Sequence, residues 1–276
     1  MPIFIDPSTL GQEAVDDLEE MAMLVGQLEE KVDTLPKGSP ELFRLPNRPH
    51  HRGRVLSEDR SFRRFDTLHE DLSGLRILNV SCGVGREAHR LLERGASEVH
   101  LLDLSEPAVH HVARYLPAAY PDRRFGFTVA SAQNLPYPDD AFDMVLVYAS
   151  AHHYPDFAGF LAEATRVAAE LVVLSEPAVM GLAQGILDRA GWNTEYGELP
   201  TARFDERQVV RLCRELGLSC TTQRLSTYFP RALDRWGEST LVTGSWFLLL
   251  GILDTLSPRS LRHSLGFYAK RAKSEP

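Results

Sequence analysis

The chain has 276 residues, 43% apolar and 25% charged, enough to bury a large core and ordinary for a globular protein. Its formal net charge of -8, with no dense basic block interleaved with aromatics, argues against a nucleic-acid-binding surface. Cys82, Cys213 and Cys220, odd in number and without metal-like spacing, read as reduced thiols of a cytoplasmic protein, and residues 1–7 lack the basic flank and apolar run of a signal peptide.

Residues 11–35 read as an amphipathic helix, with Val15, Leu18, Met21, Val25, Leu28 and Val32 at three- and four-residue spacing. Pro36, Gly38 and Pro40 break it. Residues 41–70 read as arginine-rich and irregular, with aromatics at Phe43, Phe62 and Phe65. The arginines from Arg44 to Arg64 suit either a solvated loop or a clamp on an anionic substrate. From Leu75 the pattern alternates. Strands are expected at Ile77–Val80, Val99–Leu102, Phe125–Val129, Phe142–Val147 and Leu171–Leu174, with helices at Glu87–Arg94, Glu106–Leu116 and Phe157–Ala168. Beyond Pro177, a helix is expected at Val179–Ala190, a loop through Pro200, a helix at Asp205–Leu216 and a strand within Ser219–Tyr228. A helical insertion over 231–257 and a last strand at Leu265–Lys270 complete the chain. The apolar stretch Leu241–Leu256 is interrupted by Thr243, Gly244, Ser245, Gly251 and Asp254. It reads as a buried helix or substrate lid rather than a membrane span.

Short apolar strands separated by helices imply an α/β fold with a parallel sheet covered on both faces. Ligands on such sheets sit at the carboxyl ends of strands, so Asn79–Gly85, Asp103, Ser131–Gln133 and Tyr148–His153 should converge on one cleft. The run Ile77-Leu78-Asn79-Val80-Ser81-Cys82-Gly83-Val84-Gly85 is a strand ending in a glycine loop that leads into a helix, a backbone cradle for a nucleoside-bearing cofactor. Asp103, eighteen residues past Gly85, can accept two hydrogen bonds from a ribose diol. On the loop alone, Gly83-Val84-Gly85-Arg86-Glu87-Ala88 also fits a dinucleotide fingerprint. Cys82 reads as a buried, inert thiol. The pairs His50-His51 and His110-His111 invite a metal hypothesis, but neighbouring helical histidines point apart and no acidic partner is spaced with them, so no metal is expected.

Four blocks in order carry a family resemblance: "ILNVSCGVG", "VHLLDLSEPAV", "VASAQNLPYPDDAFDMVLVYASAHHYPD" and "LVVLSEPA". Together, residues 76–178 resemble the core of a class I S-adenosylmethionine-dependent methyltransferase, of the group that includes small-molecule and quinone-biosynthesis enzymes. The resemblance implies a Rossmann-like, seven-stranded, mostly parallel sheet with helices on both faces. The ends lie outside the matched blocks; the order of elements along the chain leads us to expect an N-terminal helical cap over residues 1–70 and a methyltransferase domain over 71–276, with a helical insertion around 229–260 before the last strand. The implied cofactor is S-adenosylmethionine, with S-adenosylhomocysteine as product. Its binding residues would be Asn79, Ser81, Gly83, Gly85, Asp103, Leu104, Ser131, Ala132, Gln133 and Tyr148. His152 and His153 would stand near the acceptor, one of them as a general base or in a positional role. The family usually has acids where Asn79 and Ser131 stand and a glycine where Ser81 stands, so weaker cofactor affinity is expected.

The resemblance further implies a cytoplasmic enzyme acting on a small molecule by O-, N- or C-methylation, without nucleic acid or membrane, and compatible with a homodimer. No Asn-Pro-Pro-Tyr-like run follows the fourth strand, which argues against the amino-group methyltransferases of nucleic-acid bases. The alternatives are a methyltransferase-fold protein without net methyl transfer and, more distantly, an NAD(P)-dependent reductase.

Overall fold

The computed structural model describes residues 12–46, 51–62, 71–178, 203–226, 231–256, 258, 262 and 264–271. His50, Phe65, and the helix and loop expected over 179–200 lie outside the described residues. In chain order the elements are α1 (Gln12–Glu29), α2 (Arg52–Phe62), β1 (Arg76–Val80), α3 (Arg86–Glu93), β2 (Glu98–Asp103), α4 (Glu106–Ala119), β3 (Arg124–Val129) and β4 (Phe142–Tyr148). They continue with α5 (Phe157–Val167), β5 (Ala168–Pro177), α6 (Glu206–Glu215), β6 (Leu218–Leu225), α7 (Thr240–Leu256) and β7 (Ser264–Arg271).

The seven strands form one sheet in the order β3-β2-β1-β4-β5-β7-β6. β1 pairs in parallel with β2 and β4, and β2 with β3, whereas β6 and β7 are antiparallel. This is the α/β fold expected from the alternation and the Rossmann-like, seven-stranded arrangement that the resemblance implies, with α7 as the helical insertion before the last strand. Ile77, Leu78 and Val80 of β1 are fully buried, as a central strand covered on both faces requires. The chain builds β1, β2 and β3 outward in one direction and then places β4 on the other side of β1. The strand order therefore reverses between β1 and β4, the position at which sheets of this kind bind ligands beyond the carboxyl ends of their strands.

The chain divides into two compact units. The first comprises residues 1–48, 71–150 and 154–173, the second 49–70, 151–153 and 174–276. In the first, Val25 and Leu28 of α1 pack against Val84 and Ala108, with Met21, Leu35 and Leu45 at the margin. His111 of α4 fastens this layer: its Nδ1 lies 2.6 Å from Glu29 Oε1 and its Nε2 2.7 Å from the Leu42 carbonyl. Ser105 caps α4, its Oγ accepting from the Ala108 N–H, and Asp156 caps α5 through the Gly159 N–H. In the second unit, Asp205 caps α6 by accepting from the Arg207 and Gln208 N–H groups.

Three local expectations change. The first helix stops at Glu29, and Val32–Thr34 forms a separate 3-10 turn. Residues 52–62 are helical rather than irregular: Phe62 is buried, and Arg60 donates to the Ser226 carbonyl (2.9 Å) and to Asp254 Oδ2 (2.6 Å). Arg60 is thus a strut of the second unit, not an anion clamp. α7 is not buried all round. Thr243 and Leu250 face inward, while Leu241, Leu248, Ile252 and Leu256 are exposed along one side. Among the described residues no helix is long and apolar enough to cross a membrane.

Candidate functional site

The loop after β1 alternates into left-handed backbone, with φ of 52° at Ser81, 49° at Gly83 and 86° at Gly85. Gly85 is also required by packing, because a Cβ there would stand 2.8 Å from Val112 Cγ1. Gly83 has open space, with only Met21 Cε of α1 at 4.0 Å from such a Cβ. The Gly85 N–H closes a turn onto the Cys82 carbonyl (2.9 Å), and α3 starts at Arg86 with its first N–H groups toward the loop.

Asp103 ends β2 beside this loop. Its Oδ2 accepts from the Gly83 N–H (2.8 Å) and its Oδ1 from the Ser105 N–H (2.8 Å). Each oxygen keeps further lone-pair capacity. Burial pushes the Asp103 carboxyl up, while the Ser105, Gly83 and Leu104 N–H groups pull it back toward the charged form. Asn79, 1% exposed, carries an amide whose oxygen and nitrogen both lack a partner among the described residues. A buried amide left in that state is costly unless a ligand completes it. Burial, with Asp103 and Glu87 nearby, pushes the Cys82 thiol well above its usual range, which keeps it inert.

Residues 131–134 form the next rim. The Ala130 N–H donates to the Asp103 carbonyl (3.0 Å), tying the end of β3 to the end of β2. A turn follows in which Ser131 Oγ accepts from the Gln133 N–H (3.2 Å). Ala132 is buried, Leu104 half-buried, and Gln133 Nε2 is a buried donor without a partner among the described residues. Arg166 clamps the turn beyond, donating to the Leu135 and Tyr137 carbonyls (3.0 and 2.8 Å) and pairing with Glu163 and Asp139.

At the end of β4, the Arg86 guanidinium lies over the Tyr148 ring, 5.1 Å from its centroid. Ala149 takes a φ of 49°. Tyr154 returns to the first loop, its hydroxyl 2.6 Å from Ser81 Oγ. The strand ends therefore bring Asn79, Ser81, Gly83, Gly85, Asp103, Leu104, Ser131, Ala132, Gln133 and Tyr148 together in the first unit. His152 and His153 group instead with the second unit. There His152 Nδ1 lies 2.8 Å from Glu176 Oε2, both side chains buried, and Glu176 Oε1 accepts from the Ala151 N–H (3.0 Å). His153 is exposed and stacks on His152 with ring centroids 4.2 Å apart.

Glu176 and Tyr154 were not singled out in the sequence. Glu176 follows the apolar run that marks β5, and an acid at a strand end beside a histidine pair was the signal available. Tyr154 sits in the quoted His-His-Tyr-Pro-Asp stretch. The other histidines have local partners: His51 Nε2 lies 3.0 Å from Asp234 Oδ1, His111 bridges Glu29 and Leu42, and exposed His110 lies near Glu106. The expectation that these pairs lack acidic neighbours does not hold. Even so, no group of three or more His, Cys, Asp or Glu among the described residues could hold a metal ion.

Residues 78–171 match a family model described as a methyltransferase domain. Phthiotriol/phenolphthiotriol dimycocerosates methyltransferase 1 of Mycobacterium ulcerans (strain Agy99) is 38% identical over 102 residues, 36% of this chain and 35% of that protein. Norajmaline N-methyltransferase of Rauvolfia serpentina is 28% identical over 186 residues, 66% of this chain and 59% of that protein. The chain spans about a third of the length of several curated relatives that it matches. Among solved structures, the [4+2]-cyclase SpnF superposes with a TM-score of 0.57 at 18% identity, covering 92% of this chain and 95% of that one. That likeness is one of fold.

Proposed function

We propose that the protein is a class I S-adenosylmethionine-dependent methyltransferase that transfers a methyl group to a small, hydrophobic or aromatic metabolite, a reading supported by the methyltransferase-domain match over residues 78–171. The observation that carries this reading is the junction of Asp103 with the glycine loop: a braced carboxylate beside left-handed backbone and the amide of Asn79, which has no partner among the described residues. These groups suit a ligand with a ribose at one end and an amino acid at the other. Bound S-adenosylmethionine supplies an electrophilic methyl on a sulfonium.

In this reading Asp103 accepts from the ribose hydroxyls and Leu104 lies against the adenine. Ala132 offers a backbone N–H to the ring, and Ser131 and Gln133 offer neutral polar groups to its amine. Gly83 and Gly85 let backbone approach the amino-acid part, and the start of α3 favours its carboxylate. Tyr148 borders the acceptor side. Alignment of acceptor and methyl supplies much of the acceleration, on the order of 7–11 kcal/mol in favourable systems. Where the acceptor must lose a proton, His152 is the base, supported by its contact with Glu176. An ionised Glu176 requires an N–H at Nδ1, which leaves Nε2 to accept the proton. His153 then has a positional role.

Within the cap expected over residues 1–70, α1 is the part that supports such a role, since its Met21 lies over Gly83. A cytoplasmic protein that binds no nucleic acid fits the net charge. A homodimer would suit the exposed apolar side of α7. Calorimetry is the test: S-adenosylmethionine and S-adenosylhomocysteine should bind while NAD does not, and the reverse result would overturn the reading. A second reading, binding or catalysis without net methyl transfer, is favoured by the neutral Asn79 where the family has an acid. Methyl-labelled cofactor with a metabolite extract separates the two, since a labelled product excludes it.

A further inference from the structure

Among the described residues, three non-glycine side chains hold left-handed backbone, and two of them, Ser81 and Ala149, directly follow the neighbouring strands β1 and β4. Such conformations are sterically unfavourable for an L-residue and persist where something else depends on them. Glycine would take the backbone of residue 81 at no cost. What serine adds is a hydroxyl, and that hydroxyl is 2.6 Å from Tyr154 Oη. Tyr154 is fixed at its other end by an edge contact with fully buried Phe160, ring centroids 4.8 Å apart at 66°. Two residues before Ser81 stands Asn79, with both amide atoms buried and unpartnered among the described residues. Three neutral polar side chains are therefore gathered at the loop that bears the amino-acid part of the cofactor.

We propose that Tyr154, positioned by Ser81, is a cofactor-binding residue that recognises the α-carboxylate of the amino-acid moiety. The Ser81 hydroxyl donates to Tyr154 Oη, and the Tyr154 O–H donates to the carboxylate. Asn79 Oδ1 accepts from the α-ammonium. A clasp of neutral groups holds both charges of the zwitterion without a charged side chain, and this accounts for serine at a position where glycine would be conformationally free. The inference rests on the cofactor reading above.

The test is calorimetry with two ligands, S-adenosylhomocysteine and 5′-methylthioadenosine. The second keeps the nucleoside and thioether but lacks the amino acid. Tyr154→Phe, which retains the ring on Phe160, should weaken S-adenosylhomocysteine about tenfold and 5′-methylthioadenosine less than about twofold. Ser81→Gly should weaken S-adenosylhomocysteine by roughly three- to tenfold, yet melt no lower than the parent, because glycine relieves the backbone. The double variant should bind no worse than Tyr154→Phe alone. The proposal is overturned if Tyr154→Phe binds S-adenosylhomocysteine like the parent, if it loses both ligands equally, or if the two losses multiply. If the parent itself binds neither ligand, the cofactor reading falls and takes this inference with it.

Discussion

Gly85 and Val112 are packed so closely that a methyl group on Gly85 would stand 2.8 Å from Val112 Cγ1. Gly85 also holds a φ of 86°, so Gly85→Ala meets both a steric and a conformational penalty. It should lose about 2–4 kcal/mol in urea unfolding. Gly83→Ala, with open space above it, should lose only about 1 kcal/mol, from its left-handed backbone. Equal losses would show that packing against α4 is not what requires Gly85.

Asp103→Ala removes the carboxylate that braces the loop and, in the proposed function, accepts from the ribose. S-adenosylhomocysteine affinity should fall by about 100-fold, as loss of two charge-assisted hydrogen bonds implies. Isothermal titration measures this directly. Unchanged affinity removes the ribose assignment.

His152 and His153 should behave differently despite their adjacency. His152→Ala should lower turnover by about 10²–10⁴-fold with a proton-bearing acceptor while S-adenosylhomocysteine affinity stays near the parent value. His153→Ala should change turnover by less than about threefold, since that ring is exposed and stacks on its neighbour. Glu176→Gln should lower kcat without weakening cofactor binding. Comparable effects at 152 and 153 would count against the dyad.

The docking of α1 should be acid-labile. Burial works against the charge on Glu29, but hydrogen bonds from His111 and Tyr115, with Arg114 nearby, hold its carboxyl below the usual value of 4.5. A carboxylate depressed in the folded state contributes stability above its unfolded pKa and loses it as pH falls through the folded value. The stability advantage of the parent over Glu29→Gln should be full at pH 6 and shrink as the pH is lowered below about 4.5. Parallel urea melts of the two proteins across that range check it.

The core strands were legible because β1, β2 and β4 are mostly apolar, broken only by Asn79, His100 and Asp143, as strands buried on both faces tend to be. β5 was read short because Ser175 and Glu176 are buried polar residues, and an apolar run cannot announce them. α2 was missed because its stability is tertiary. The segment is mostly polar, and it is held by buried Phe62 and by Arg60 reaching Ser226 and Asp254, distant in sequence. At the site, the glycine loop and Asp103 were visible from spacing. The links from Ser81 to Tyr154 and from His152 to Glu176 depend on how loops return, which spacing does not encode.

The contact of α1 with the glycine loop also bears on timing. Val25 and Leu28 rest on Val84, and Met21 lies over Gly83. Whatever occupies the loop and whatever loosens α1 are therefore thermodynamically coupled. Release of spent cofactor would then be slowed by whatever holds α1 down as well as by the grip on the ribose.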